Sequence, residues 1–281
     1  MLRLENIRKR YGDFRLEATI EVRVGYVTGL VGKNGAGKTT AFKAGLGLIH
    51  TDDGEVFLLG KPLSQINEKD REEIGVVLAD SGFNGYLSIK DWLSVLKNLY
   101  HEFDEAYFLK KCKEWDLPTE KKIKEFSTGM KRKLQLLAAI SHNAKLLILD
   151  EPTAGMDVLA RDEILDLLRE YMEKEDRAIL ISSHISSDLE GICDDIYMID
   201  DGKIVLHEET DTLMDDYGLL KLTEAQYDQL DKSYILRHRK EEYGYCCLTD
   251  KKQFYMENYP EIVVEKGTID GMIMMMIRGE A

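Results

Sequence analysis

The sequence predicts an α/β fold in which a mostly parallel sheet is covered on both faces by helices. Three observations point there. Short apolar β-type segments alternate with helical patterns along most of the chain. A glycine-rich loop, Gly32-Lys33-Asn34-Gly35-Ala36-Gly37-Lys38-Thr39, joins an apolar stretch ending in Leu30-Val31 to a helix opening at Thr40-Ala41-Phe42. A second apolar run, Leu146-Leu147-Ile148-Leu149, ends in Asp150-Glu151, as a strand does when it delivers an acid to the carboxyl edge of such a sheet.

Taken in order, β-type segments cover about 2–7, 14–24 and 26–31, and a helix follows the glycine-rich loop through about 48. Asp52-Asp53-Gly54 turns the chain into a strand over 55–59, and Gly60-Lys61-Pro62 turns it again. Another apolar strand covers 74–78. The texture then changes at Asp80-Ser81-Gly82. Ser88-Ile89-Lys90-Asp91 is a capping-box variant opening a helix with Leu93, Leu96, Leu99 and Tyr100 on one face, and a second helical pattern covers 104–115. This helical insert spans about 84–125. Beyond it, helices over 130–139, 158–174 and 186–192 alternate with strands over 145–149 and 178–182, and a hairpin of 196–199 with 203–206 turns at Asp200-Asp201-Gly202. From about 216 the pattern restarts, with short strands over 219–222, 234–237, 245–248 and 261–265 between short helices. That predicts a large domain over 1–215 and a small C-terminal α+β domain over 216–281. The methionine-rich run 272–277 falls well short of the roughly 18 apolar residues that cross a bilayer, so a packed helix or strand is expected there.

A chain of 281 residues has room for both units and for a real core. Acidic residues outnumber basic ones, 52 to 38, for a formal charge of −14. Such a field repels a nucleic-acid backbone, so no nucleic-acid partner is expected. Cys112, Cys193, Cys246 and Cys247 show no C-x-x-C spacing and are expected to be reduced, packed thiols, the last two on opposite faces of a strand. The N-terminus has no signal-peptide pattern and no run is long enough to span a membrane, so a soluble, cytosolic chain is expected.

The glycine-rich loop satisfies the phosphate-loop pattern G-x-x-x-x-G-K-[ST]. Glycines let successive N–H groups converge on phosphate oxygens, and the helix N-terminus adds its positive dipole end. Lys38 then sets a point charge on the β- and γ-phosphates, and the Thr39 hydroxyl suits Mg²⁺. Asp150 is a second Mg²⁺-associated oxygen donor, and Glu151 is placed to polarise the water that attacks the γ-phosphate. Phe126-Ser127-Thr128-Gly129-Met130 precedes a helix with a hydroxyl and free N–H groups. Alone it reads as an ordinary helix cap. Beside a phosphate loop it suggests a nucleotide held between two surfaces.

The order Tyr11, residues 32–39, 126–130 and 146–151, Ala154-Gly155-Met156-Asp157 and Ser183-His184 resembles the ATP-binding subunits of ABC transporters over about residues 1–215. The resemblance implies a P-loop NTPase fold of ABC type, a mixed sheet with a helical subdomain. It also implies that Tyr11 stacks on the adenine of ATP and that Gly32, Lys33, Asn34, Gly35, Ala36, Gly37, Lys38, Thr39 and Thr40 hold the phosphates. Ser127, Gly129 and Met130 would meet the γ-phosphate of ATP bound by a second ATPase subunit in a head-to-tail homo- or heterodimer. Asp150 becomes the Mg²⁺ acid, Glu151 the general base, Asp157 the acid signalling across the dimer and His184 the switch histidine. Two departures stand out. Where most members carry a glutamine after the 74–78 strand, this chain has Ala79 and then Asp80. Asp80 is expected to replace it as an Mg²⁺ ligand, the other reading being a turn cap with Ser81 and Gly82. Phe126, Thr128 and Met130 also depart from the commonest Leu-Ser-Gly-Gly-Gln signature, while Ser127 and Gly129 are kept.

The function implied is a cytoplasmic ATPase subunit that drives a separate transmembrane permease, docked through the helical insert at the membrane's cytoplasmic face. The signature's form and the acidic tail look most like the bacterial subfamily exporting drugs, bacteriocins or lipid-linked compounds. A non-transport ATPase of the same type is opposed by the single cassette, the absence of zinc cysteines or a long coiled coil, and the acidic balance. A nucleotide-gated regulatory module is opposed by the joint presence of Glu151 and His184.

Overall fold

The computed structural model describes residues 1–80 and 82–280. Strand β1 (Leu2–Tyr11) turns at Gly12, φ 58°, into β2 (Phe14–Val22), so that Tyr11 pairs with Phe14. Alternate residues of β2, Leu16, Ala18, Ile20 and Val22, are buried, the period-2 pattern of a strand with one face in the core. Strand β3 (Val27–Val31) is buried throughout and feeds helix α1 (Lys38–Gly45). Next come β4 (Asp53–Leu58), β5 (Lys61–Pro62), α2 (Glu68–Glu72) and β6 (Ile74–Val77). Helices α3 (Ile89–Leu99), α4 (Glu105–Glu114) and α5 (Thr128–Ile140) follow, then β7 (Leu146–Asp150), α6 (Val158–Met172), β8 (Ala178–Ser182), α7 (Ser186–Glu190), β9 (Asp195–Asp200), β10 (Lys203–Glu209) and α8 (Thr210–Asp215).

These strands make one ten-stranded sheet in the order β5-β4-β1-β2-β10-β9-β3-β8-β7-β6. Strands β9, β3, β8, β7 and β6 are mutually parallel, whereas β1, β2, β4 and β5 pair antiparallel and β10 returns antiparallel on β9. The sheet is therefore mixed, as the resemblance implies, rather than mostly parallel, as the alternation of strands and helices by itself suggests. The tight Gly12 and Asp201-Gly202 turns join neighbours that can only run in opposite directions, while parallel neighbours need a crossover helix. One face packs Leu4, Leu16, Leu30, Ile148 and Leu180 against Phe42 of α1. The other packs Leu147, Leu149, Ile179 and Ile181 against Ile164, Leu167 and Leu168 of α6.

Ser88 and Asp91 form a complete capping box at the start of α3. Ile89 and Leu96 of α3 bury against Phe108 and Cys112 of α4 and Leu134 and Leu137 of α5. Leu99, expected on the buried face, is the last residue of the helix and is 57% exposed.

Beyond α8, β11 (Gly218–Leu222), α9 (Glu224–Gln229), β12 (Ile235–Glu241), β13 (Gly244–Thr249), α10 (Lys252–Asn258), β14 (Val263–Lys266) and α11 (Ile269–Arg278) build a separate four-stranded antiparallel sheet ordered β12-β13-β11-β14. Cys247 faces a core with Leu220, Leu222 and Tyr255, whereas Cys246 joins Met272 and Met275 of α11 in the main core. All four thiols are buried, and burial pushes those of Cys112 and Cys247 up to about 12, which keeps them protonated and inert at neutral pH. The methionine-rich run is helix α11, packed on the main core.

Candidate functional site

The phosphate loop leaves the sheet at Val31, and the backbone there is crowded. A Cβ on Gly32 would run into the Ile199 carbonyl oxygen, and Gly37 sits at φ 114° just before α1, a conformation that glycine adopts without strain. No side chain caps α1, so its first N–H groups stay free for an anion. Lys38 is only 6% exposed and its Nζ donates to the carbonyls of Gly32 (2.8 Å) and Lys33 (3.4 Å). Lys33 pairs with Asp200 at 2.8 Å, pinning the loop to the β9–β10 hairpin. Asn34 and Gly35 are exposed at the loop tip, and Thr40 is half-buried at the helix start.

Strand β7 brings its two acids to this loop. Asp150, 1% exposed, accepts from the Thr39 hydroxyl at 2.6 Å on Oδ2 and from the Ser182 hydroxyl at 2.7 Å on Oδ1. Glu151 follows at φ 52°, its N–H held by the Ser182 carbonyl and hydroxyl, both at 3.1 Å. A left-handed conformation at a residue with a Cβ costs of the order of 1 kcal/mol. Here it turns the carboxylate toward Lys38, Oε1 lying 3.7 Å from Nζ, and toward His184, whose Nδ1 is 2.7 Å from Oε2. A carboxylate only accepts, so His184 must carry its proton on Nδ1 in this contact. Lys38, Thr39, Asp150, Glu151 and His184 thus form one constellation.

Other expected residues lie outside it. Ser127 caps α5, its Oγ accepting from the Met130 N–H at 3.2 Å, so the helix starts inside the signature rather than after it. Among the described residues no hydrogen bond or ion pair links 126–130 to 32–39. The segment instead lies against the 154–157 loop: a Cβ on Gly129 would meet Met156 at 3.7 Å, and one on Gly155 would meet Thr128 at 3.5 Å. Asp157 caps α6 by accepting the Ala160 N–H at 3.0 Å, a bond that holds its carboxyl below the usual range. Tyr11 is 48% exposed, with Lys9 5.3 Å above its ring, on a hairpin whose Phe14 would touch a Cβ on Gly37 at 3.0 Å. The expected Mg²⁺ ligand Asp80 has another partner. Its Oδ2 accepts from Lys43 Nζ at 2.7 Å, and that ammonium holds the carboxyl below its ordinary range. Lys43 is one helical turn beyond Thr39, which lets a long cation reach the exit of β6. Ser81, of the alternative turn, lies outside the described residues.

The sequence profile described as ABC transporter matches residues 17–154. The lantibiotic transport ATP-binding protein SrtF of Streptococcus pyogenes is 32% identical over 215 residues, covering 75% of this chain and 92% of that protein. The chain belongs to the ABC transporter family. It is an ATP-binding, ATP-hydrolysing subunit of that family. The bacitracin transport ATP-binding protein BcrA of Enterococcus faecalis is 34% identical, covering 73% of this ABC subunit and 68% of its own length. A solved ATP-binding subunit of an ABC transporter superposes with TM-score 0.68 at 26% identity, over 76% of this chain and 91% of that one.

One residue of the ABC subunit's site escaped the sequence reading. Ser182 bonds both Asp150 and Glu151. Its signal was the Ser182-Ser183 end of a buried strand just before His184, but only the β7–β8 register, which pairs Asp150 with Ser182, assigns the role.

Proposed function

We propose that this subunit hydrolyses ATP at two composite sites of a head-to-tail pair and drives export through a separate membrane-spanning partner. The observation that carries the reading is Glu151, turned by its left-handed backbone between Lys38 and His184 beside the Thr39–Asp150 pair. The loop N–H groups and Lys38 hold the triphosphate. Glu151 takes a proton from the attacking water, whose oxygen bonds to the γ-phosphorus as the bond to the β-phosphate oxygen breaks, leaving ADP and phosphate. His184 holds the Glu151 carboxylate in place. Thr39 and Asp150 are hard oxygen donors and fit Mg²⁺. No cluster of three His, Cys, Asp or Glu residues able to hold a metal occurs among the described residues, so phosphate oxygens and water would complete the shell. Bound there, the cation would neutralise phosphate charge.

Export is supported by relatives named for lantibiotic and bacitracin transport. No helix among the described residues is long and apolar enough to cross a membrane, and we place the membrane-spanning part of the transport role on a separate subunit that this chain meets at the cytoplasmic face. Exposed Tyr86, Val95 and Leu99 on the helical insert offer it an apolar surface. Residues 216–281 are read as a small appended domain.

The composite site has a direct test. Ser127→Arg should leave ATP binding by the monomer unchanged yet block ATP-driven dimerisation and turnover, because Ser127 acts on the other subunit's nucleotide. Titration calorimetry beside size-exclusion chromatography checks this, and lost monomer binding would refute the trans assignment. Asp80 is assigned to its Lys43 pair. Asp80→Ala should therefore leave the Mg²⁺ concentration for half-maximal ATPase activity unaltered; a raised requirement would restore it as a ligand.

A further inference from the structure

Helix α7 starts two residues after His184 and carries a carboxylate that the site described above does not use. Asp188 is 3% exposed. Its Oδ2 accepts the Thr153 hydroxyl at 2.8 Å, and its Oδ1 faces Arg161 Nη1 at 3.7 Å. Thr153, 1% exposed, is two residues beyond Glu151. Arg161 stands in the first turn of α6, its N–H bonded to the Asp157 carbonyl at 3.0 Å. One buried carboxylate therefore ties together the loop after Glu151, the helix after Asp157 and the helix after His184. Burying a charge costs several kcal/mol unless it is paired and hydrogen-bonded, so these contacts are stringent in geometry.

The opposite side of α7 is anchored. Leu189 is fully buried in the same core as Ile269, Met272 and Met275 of α11, and Glu190 Oε1 accepts the Ile269 N–H at 3.0 Å. A helix of five residues has little stability of its own. Its position is set by α11 on one side and by Asp188 on the other.

We propose that Asp188 is a positioning residue that sets the Glu151–His184 contact by bonding the loop that carries one to the helix that follows the other. The proposal rests on Glu151 being the base. The 2.7 Å contact spans two chain segments that are 33 residues apart in sequence; Ser182 ties them on the strand side of that contact, and the Thr153–Asp188 bond is a further link on its helix side, outside the nucleotide site. Loss of that link lets the segments drift, and a drift of about 1 Å in a catalytic group costs up to roughly a hundredfold in rate.

The test uses the full chain and measures kcat and KM for ATP. Asp188→Ala should lower kcat roughly ten- to hundredfold with KM for ATP within about twofold, because the phosphate loop that binds ATP is untouched. Thr153→Val, which keeps the size of the side chain and removes only the hydroxyl, should lower kcat in the same way, with the circular dichroism and melting profile showing that the variant is folded. Asp188→Asn, whose amide oxygen still accepts the Thr153 hydroxyl, should recover most of the rate. In a Glu151→Gln background Asp188→Ala should cause no further loss, since there is no base left to position. Wild-type kcat in Thr153→Val, or an additive loss in the double variant, would overturn the proposal. Wild-type hydrolysis by Glu151→Gln alone would remove the base assignment and, with it, the ground for this one.

Discussion

Glu151→Gln should leave only a small residual steady-state ATP hydrolysis while ATP binding stays intact. An amide keeps the shape of the side chain and can still meet His184, but it accepts no proton from water. Loss of a positioned general base costs about a hundred- to ten-thousandfold, and phosphate release under Mg·ATP reads this directly. The second consequence is structural. If hydrolysis is what reopens a nucleotide-bound pair of subunits, the variant should accumulate as an ATP-dependent dimer by size-exclusion chromatography, where the unaltered chain turns over and separates. The left-handed backbone at Glu151 sharpens the expectation. The chain tolerates a strained residue there with its N–H doubly held by Ser182, so the substitution changes the acid–base chemistry without changing the turn. Hydrolysis at the unaltered rate would remove Glu151 from the role of base.

Lys38→Ala should fail earlier in the cycle. The ammonium is nearly buried and held over the loop by the Gly32 carbonyl at 2.8 Å, so it is pre-placed where phosphate charge arrives. A charge-assisted hydrogen bond of this kind is worth about 1.5–3 kcal/mol, which corresponds to roughly ten- to hundredfold in affinity. The variant should therefore show a raised dissociation constant for ATP by calorimetry as well as lost turnover. The contrast with Glu151→Gln is the informative part. One variant keeps its affinity for ATP and loses turnover; the other loses both turnover and much of its affinity. An unchanged dissociation constant for Lys38→Ala would mean that the loop N–H groups alone carry phosphate affinity.

Much of this molecule is local, and what is local was legible from the residues. The strand–loop–helix of 27–45 follows from an apolar run, glycines at a crowded turn and a helix opening on Lys-Thr. Strand β7 with its two terminal acids and the capping box before α3 follow likewise from patterns a few residues long. Cys246 and Cys247 fell on opposite faces because side chains alternate along any strand. The sequence by itself thus determined the phosphate loop, the acids that accompany it and the alternation of strand and helix that carries them.

Tertiary structure alone decided the rest, because it depends on pairing between segments far apart in the chain. The β9–β10 hairpin was legible at Asp200-Asp201-Gly202, but the antiparallel pairing of β1 with β4, about fifty residues on, is one that alternating apolar residues cannot reveal. Asp80 pairs with Lys43 because α1 points a long cation at the end of β6, 37 positions away. Ser182 acts on Asp150 and Glu151 only through the β7–β8 register, and a one-residue slip would send it to the other face. Asp188 reads in sequence as one more acid on a short polar helix. It becomes the buried partner of Thr153 and Arg161 once α11 docks behind that helix, because a carboxylate's role is set by what burial leaves within its reach.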